Sequence, residues 1–171
     1  MSRIAIIGLG SPFGDDRAGW EVVQALTKGQ WSRNVTCNRI RVECLDRPGP
    51  ALLERFREAD CVILIDAMRS GAPAGTVRQL GPDEIAAASA THSSHGFGLA
   101  QTIALARALG SLPPELVLFG IEADSFGGTG LSPRVEAAIP SLVARIACHA
   151  RCCPPGRSVV RFSRLTGFSW R

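Results

Sequence analysis

The sequence predicts a three-layer α/β/α domain built on a mostly parallel, twisted sheet. Three observations predict it. Segments 3–10 (RIAIIGLG), 61–67 (CVILIDA) and 115–123 (ELVLFGIEA) are apolar almost without interruption, which marks strands covered on both faces. Segments with helical spacing lie between them, and strands alternating with helices build parallel sheets. At 171 residues, 46% hydrophobic and 20% charged, the chain has enough apolar material for one self-supporting core.

Taken in order, RIAIIGLG is a buried strand closing in a glycine-rich turn. Residues 15–28 place Trp20, Val23 and Leu26 at helical spacing, with acids in the first turn where the helix dipole favours them. RIRVECLD (39–46) alternates like a strand, and GPALLERFREA (49–59) opens with an early proline, as helix starts allow. CVILIDA reads as the central strand. GTVRQL (75–80) is a short strand suited to an edge, and PDEIAAA (82–88) gives one or two helical turns. FGLAQTIALARALG (97–110) is a helix stopped by Gly110 and Pro113-Pro114. After the strand at 115–123, residues 132–150 form a last helix, with Ser132 as N-cap and Pro133 at its first position. One domain over 1–150 is expected, followed by a basic tail over 151–171.

The formal charge of +4 comes from that tail. Residues 151–171 carry five arginines and no acid, which leaves 14 basic against 15 acidic groups on the body. A nucleic-acid surface needs clustered cations with stacking aromatics on the folded body, and none is present, so no nucleic-acid partner is expected. No run reaches the roughly 18 apolar residues of a membrane span, and the N-terminal apolar stretch is too short for a signal peptide. The six cysteines form no CxxC pair and read as reduced thiols. A cytoplasmic, non-membrane protein is the expectation, and its oligomeric state is left open.

The chemistry lies in acids and one histidine. Asp15-Asp16 follow the glycine turn, Asp46 and Asp66 close strands, and His95 precedes the helix at 97–110. The turn GLGSPFGDD invites a dinucleotide reading, but the third glycine of G-x-G-x-x-G falls on Phe13, and two carboxylates stand where phosphate charge would go. Asp15 or Asp16 can instead cap the following helix, worth about 1 kcal/mol, while the other stays free. Asp66 leaves an otherwise apolar strand and needs a cation, a metal or backbone amides. His92 competes with His95, but H-x-x-H lacks the spacing of zinc peptidases. His149, among alanines, reads as structural. In parallel sheets ligands bind beyond the carboxyl ends of strands, so Asp16, Asp66 and His95 make an Asp/Asp/His metal site, with Asp46 as nearby base or orienting group.

These segments resemble the [NiFe]-hydrogenase maturation endopeptidases over about 150 residues. GLGSPFGDDRAGWEVV is similar to the family's opening turn, acidic pair and helix, and VECLDRPGPALLERF to its second strand, aspartate and helix. CVILIDAMRSGAPAGTV, SSHGFGLAQTIALA and GIEADSFGGTGLSPRVEAAIPSLV follow in the family's order. The resemblance implies a phosphorylase/hydrolase-like fold and metal-site residues Asp16, Asp66 and His95. It also implies an aspartic-type catalytic set of Asp16, Asp46 and Asp66. The implied function is an endopeptidase that recognises nickel in a [NiFe]-hydrogenase large-subunit precursor and removes its C-terminal extension. A non-catalytic nickel-sensing or chaperone-like module is the alternative. Ser11, Arg17, Arg47-Pro48 and Ser94 stand where the family commonly has asparagine, glycine, a glycine pair and proline, so the loops around the site differ.

Overall fold

The computed structural model describes residues 3–28, 40–89 and 94–152, with backbone alone for 88–89 and 94–97. The tail expected after 150 falls outside the described residues from 153 on. Strands are β1 (Ile4–Leu9), β2 (Ile40–Leu45), β3 (Cys61–Met68), β4 (Val77–Leu80) and β5 (Glu115–Glu122). Helices are α1 (Ala18–Lys28), α2 (Pro50–Glu58), α3 (Pro82–Ser89), α4 (Ser94–Ala108) and α5 (Pro133–Cys152).

The sheet order is β2-β1-β3-β5-β4. All pairs are parallel except β4 with β5, which is antiparallel at one edge. Side chains alternate across the pleat. Ile4, Ile6, Ile63, Ile65, Val117 and Phe119 therefore meet α1 and α5 on one face. Ala5, Ile7, Leu9, Val62, Leu64, Leu116 and Leu118 meet α2, α3 and α4 on the other. The expected three layers follow directly: strands this apolar must be covered on both sides.

The opening helix differs from expectation. Residues Gly14–Arg17 wind as a 3-10 turn, and the α-helix begins only at Ala18. Backbone packing sets that boundary. Gly8 of β1 and Gly19 of α1 face each other so closely that a Cβ on Gly8 would overlap the Gly19 carbonyl. A Cβ on Gly19 would likewise run into the Leu9 carbonyl and stand 2.6 Å from that of Ile65. The helix start is thus pressed onto β1 and β3 with no side chain between, and the residues before it double back tightly. Gly10 (φ 150°) permits this, since a Cβ there would collide with the Asp16 carbonyl.

Among the described residues no helix is long and apolar enough to cross a membrane. Among the described residues Cys44, Cys61, Cys148 and Cys152 are not joined in disulfides.

Candidate active site

The chain passes from β1 to β2 on one side, then returns to place β3 on the other side of β1. Such a reversal opens a crevice above the carboxyl ends of the two diverging strands. β1 pairs with β3 only as far as Gly8–Ile65, whereas β3 continues with β5 through Asp66, Ala67 and Met68. Asp66 is therefore the first β3 residue beyond its β1 partner. By the alternation of the pleat it lies in step with Val62 and Leu64, on the face covered by α2–α4.

The 3-10 turn delivers the adjoining pair of acids. Asp15 and Asp16 are both buried, at 1% and 5% exposure, and their roles divide. The Asp15 carboxylate accepts the backbone N–H groups of Asp124 (2.8 Å), Ser125 (3.0 Å) and Ser132 (2.6 Å), and the Ser132 hydroxyl at 2.9 Å. Burial pushes its pKa up, but these four donors outweigh burial and hold it below the usual carboxylate value. Asp15 thus ties the turn to the β5–α5 loop. The bond Asp15 N–H to Ser125 O (2.9 Å) and that of Gly14 N–H to Gly128 O (3.0 Å) reinforce it. Of the two aspartates expected to supply a helix cap, Asp15 serves the start of α5 instead, and residue 13 holds the cap position of the 3-10 turn without a side-chain bond. Ser132, expected to cap α5, spends its hydroxyl on Asp15, while its carbonyl accepts Glu136 N–H at 2.9 Å.

Asp66 and Asp16 come together. Burial first, and then the charge of Asp16, raise the Asp66 pKa to about 7, against a lowering bond from the Ala67 N–H. A buried carboxylate facing a second one forms with it a donor pair that a divalent cation would relieve. Oxygen donors of this kind suit hard and borderline divalent ions.

Asp46 stands just past Leu45, which is in register with Leu9 of β1, and it is exposed at the same sheet edge. The Trp20 indole N–H donates to the Leu45 carbonyl (3.2 Å), fixing this strand end against α1. Two strand spacings, roughly 10 Å, separate β2 from β3, so Asp46 borders the carboxylate pair without joining it. His95 occupies the first turn of α4, and its side chain lies outside the described residues, as does His92. The start of α4 is nonetheless close to the loop carrying Asp46, because a Cβ on Gly98 would stand 3.2 Å from Pro48 Cγ.

Arg17, at a position where the resembling family commonly has glycine, pairs with Glu21 (2.6 Å) and donates to the Thr129 carbonyl (3.2 Å). Sequence reasoning missed Glu122. It is 2% exposed and accepts Ser70 N–H (2.7 Å), Ser70 Oγ–H (2.7 Å) and Gly71 N–H (2.8 Å), locking the loop after β3. An acid ending an otherwise apolar strand was its signal, the same one that marked Asp66. Arg69 lies over the Phe126 ring at 4.9 Å, and Phe13 is 63% exposed on the rim.

The family model described as hydrogenase maturation protease matches residues 46–149. The hydrogenase expression/formation protein HupD of Thiocapsa roseopersicina is 31% identical over 143 residues, covering 80% of this chain and 62% of that protein. The chain therefore spans somewhat less than two thirds of that relative's length. The hydrogenase maturating endopeptidase HybD from E. coli matches with a TM-score of 0.73 at 28% identity, covering 87% of this chain and 92% of that one. An endopeptidase from Escherichia coli solved in solution matches with a TM-score of 0.77 at 27% identity, covering 88% and 94%. The resemblance read from five ordered segments and the match of the family model agree, and the chain belongs to the hydrogenase maturation protease family.

Proposed function

We infer that this chain is an endopeptidase that removes the C-terminal extension of a [NiFe]-hydrogenase large-subunit precursor after recognising the nickel already installed there. The observation that carries the reading is the coupled pair Asp16 and Asp66 at the sheet's reversal point, with Asp66 held near neutrality until a cation arrives. Here nickel belongs to the substrate. Asp16, Asp66 and His95 complete its coordination shell and so dock the scissile bond at the crevice. Asp46, exposed at the neighbouring strand end, takes a proton from a water molecule as general base. The water oxygen attacks the scissile carbonyl, the C–N bond breaks, and the proton passes to the leaving amine. Nickel-dependent docking gives selectivity: precursor without the ion lacks the ligand that seats it. The encounter takes place in the cytoplasm.

The test is incubation of nickel-loaded and nickel-free precursor with the full chain, read by the mass of the large subunit. Nickel-loaded precursor is expected to lose its extension, and nickel-free precursor to stay intact. Asp66→Asn and His95→Ala should each abolish cleavage. Equal cleavage of both precursors would remove nickel recognition, and wild-type rates in either variant would remove the site. A precursor that binds stably with no change in mass would make the chain a nickel-sensing or chaperone-like module instead.

A further inference from the structure

At the edge of the sheet opposite the carboxylate pair, the amino ends of β3 and β5 lie side by side, with Cys61 in register with Glu115. His149 of α5 covers them. We propose that Cys61, Glu115 and His149 form a second metal site, taking a borderline divalent transition ion of the zinc class.

Three donors of different softness converge there. Cys61 Sγ, a Glu115 carboxylate oxygen and a His149 ring nitrogen all lie within 4.8 Å of one another. Around a tetrahedral ion bound at ordinary zinc distances, such atoms stand about 3.3–3.7 Å apart, so closing the site takes about an ångström of side-chain adjustment. Thiolate, imidazole and carboxylate together favour zinc-like ions over magnesium or calcium.

The surroundings fix the donors and leave a way in. Cys61 is 2% exposed and offers its sulfur from the core side. The His149 and Glu115 side chains are 22% and 41% exposed and are joined by Nε2–Oε1 at 3.0 Å, with the His149 Nε2 atom itself buried and Glu115 on the more open side. Phe119 meets the His149 ring edge-on, with centroids 6.0 Å apart and planes at 84°. The strand starts are pinned by Arg3 N–H to the Asp60 carboxylate (2.7 Å) and Glu115 N–H to the Asp60 carbonyl (3.1 Å). An ion entering between His149 and Glu115 takes the place of the proton held between Nε2 and Oε1, which leaves that nitrogen for Nδ1 or for solvent, and takes the Cys61 sulfur as thiolate, releasing the thiol proton. Three protein donors leave a fourth position for water. The ion would clip α5 to the two central strands.

The donor sets separate this site from the other edge, because Asp16, Asp66 and His95 include no sulfur. The experiment is titration of the chelator-treated full chain with Co2+ alone, followed in the near ultraviolet for thiolate-to-cobalt charge transfer, and then displacement by Zn2+. One equivalent of Co2+ should produce the band in wild type and in Asp66→Asn/His95→Ala. The Cys148→Ser/Cys152→Ser/Cys153→Ser variant should keep it. Cys61→Ser should lose it. Glu115→Gln and His149→Gln, whose side chains are partly exposed and which test the site even if Cys61→Ser fails to fold, should each weaken Co2+ binding at least tenfold. Zn2+ at a hundredfold excess over its Kd should raise Tm by about 5–10 °C. Folded wild type without a thiolate band overturns the proposal, as does a band that vanishes in the Cys148→Ser/Cys152→Ser/Cys153→Ser variant or persists at unchanged affinity in both Glu115→Gln and His149→Gln.

Discussion

Asp15 and Asp66 belong to one cluster of carboxylates yet titrate in opposite directions, because one is surrounded by donors and the other is desolvated by burial and also faces a like charge. Asp15, accepting three backbone N–H groups and a hydroxyl, has a lowered pKa. Its stabilisation is present above the unfolded value of 3.8 and is lost as pH falls through the lower folded value. Asp15→Asn should cost about 2–4 kcal/mol at pH 7 and flatten the acid limb of the stability curve, as denaturant unfolding between pH 2 and pH 7 would register. An unaltered acid limb would mean that Asp15 does not hold the β5–α5 loop. For Asp66 the sign reverses. With a folded pKa of about 7 against 3.8 unfolded, the folded state keeps a proton that the unfolded chain has already released. Stability therefore falls as pH rises from about 4 to 7, by at most about 4 kcal/mol and less where solvent reaches the side chain. In chelator-treated protein Asp66→Asn should leave Tm unchanged near pH 4 and raise it by a few degrees at pH 8, even as it abolishes cleavage. A Tm difference independent of pH would contradict the coupling between Asp66 and Asp16.

At the scale of elements, the placement of Asp16 depends on α1 sitting directly on β1 and β3. Gly19→Ala would gain about 1 kcal/mol of helix propensity. Its Cβ, however, would overlap main-chain oxygens of Leu9 and Ile65, which cannot rotate aside. We expect a net loss of about 2–3 kcal/mol and a displaced 3-10 turn, with cleavage falling alongside stability. Gly130→Ala, where a Cβ meets nothing within 4 Å, is the control and should change stability by less than about 0.5 kcal/mol. Urea denaturation of the two variants decides, and equal stabilities would discard the close-packing account. The elements themselves were legible in the sequence. Near-continuous apolar runs at β1, β3 and β5 and the proline starts of α2 and α5 are local signals that burial and capping enforce. The 3-10 turn was not legible, because acids after a glycine also suit the first turn of an α-helix. Its actual cause is the Gly8–Gly19 contact between two elements. The site residues divide the same way. Asp66 and Asp46 stood out as acids at strand ends, while the duty of Asp15 depends on amides 109 to 117 positions downstream, which no short-range pattern contains.

For the whole molecule, strand order decides which distant residues meet, and it assigns different chemistry to the two edges of one sheet. β3 runs the full distance between them. Cys61 begins it and Asp66 stands five residues on, a separation of about 16–17 Å along an extended strand. Asp66 lies on the face covered by α2–α4, whereas Cys61 lies on the face covered by α1 and α5. Groups so far apart and on opposite faces are expected to act independently, since coupling between sites beyond about 7–10 Å falls to about 0.3–0.5 kcal/mol. The stability changes of Asp66→Asn and His149→Gln should therefore add in the double variant within that margin, measured by denaturant unfolding of all four proteins in chelator. Cleavage by His149→Gln should stay within about threefold of wild type, which corresponds to under 1 kcal/mol of transition-state stabilisation. An interaction energy above about 1 kcal/mol, or a cleavage rate that follows the His149 substitution, would show that β3 transmits strain from one edge to the other. In that case the amino-edge cluster would have to be counted among the groups that position the carboxylate pair.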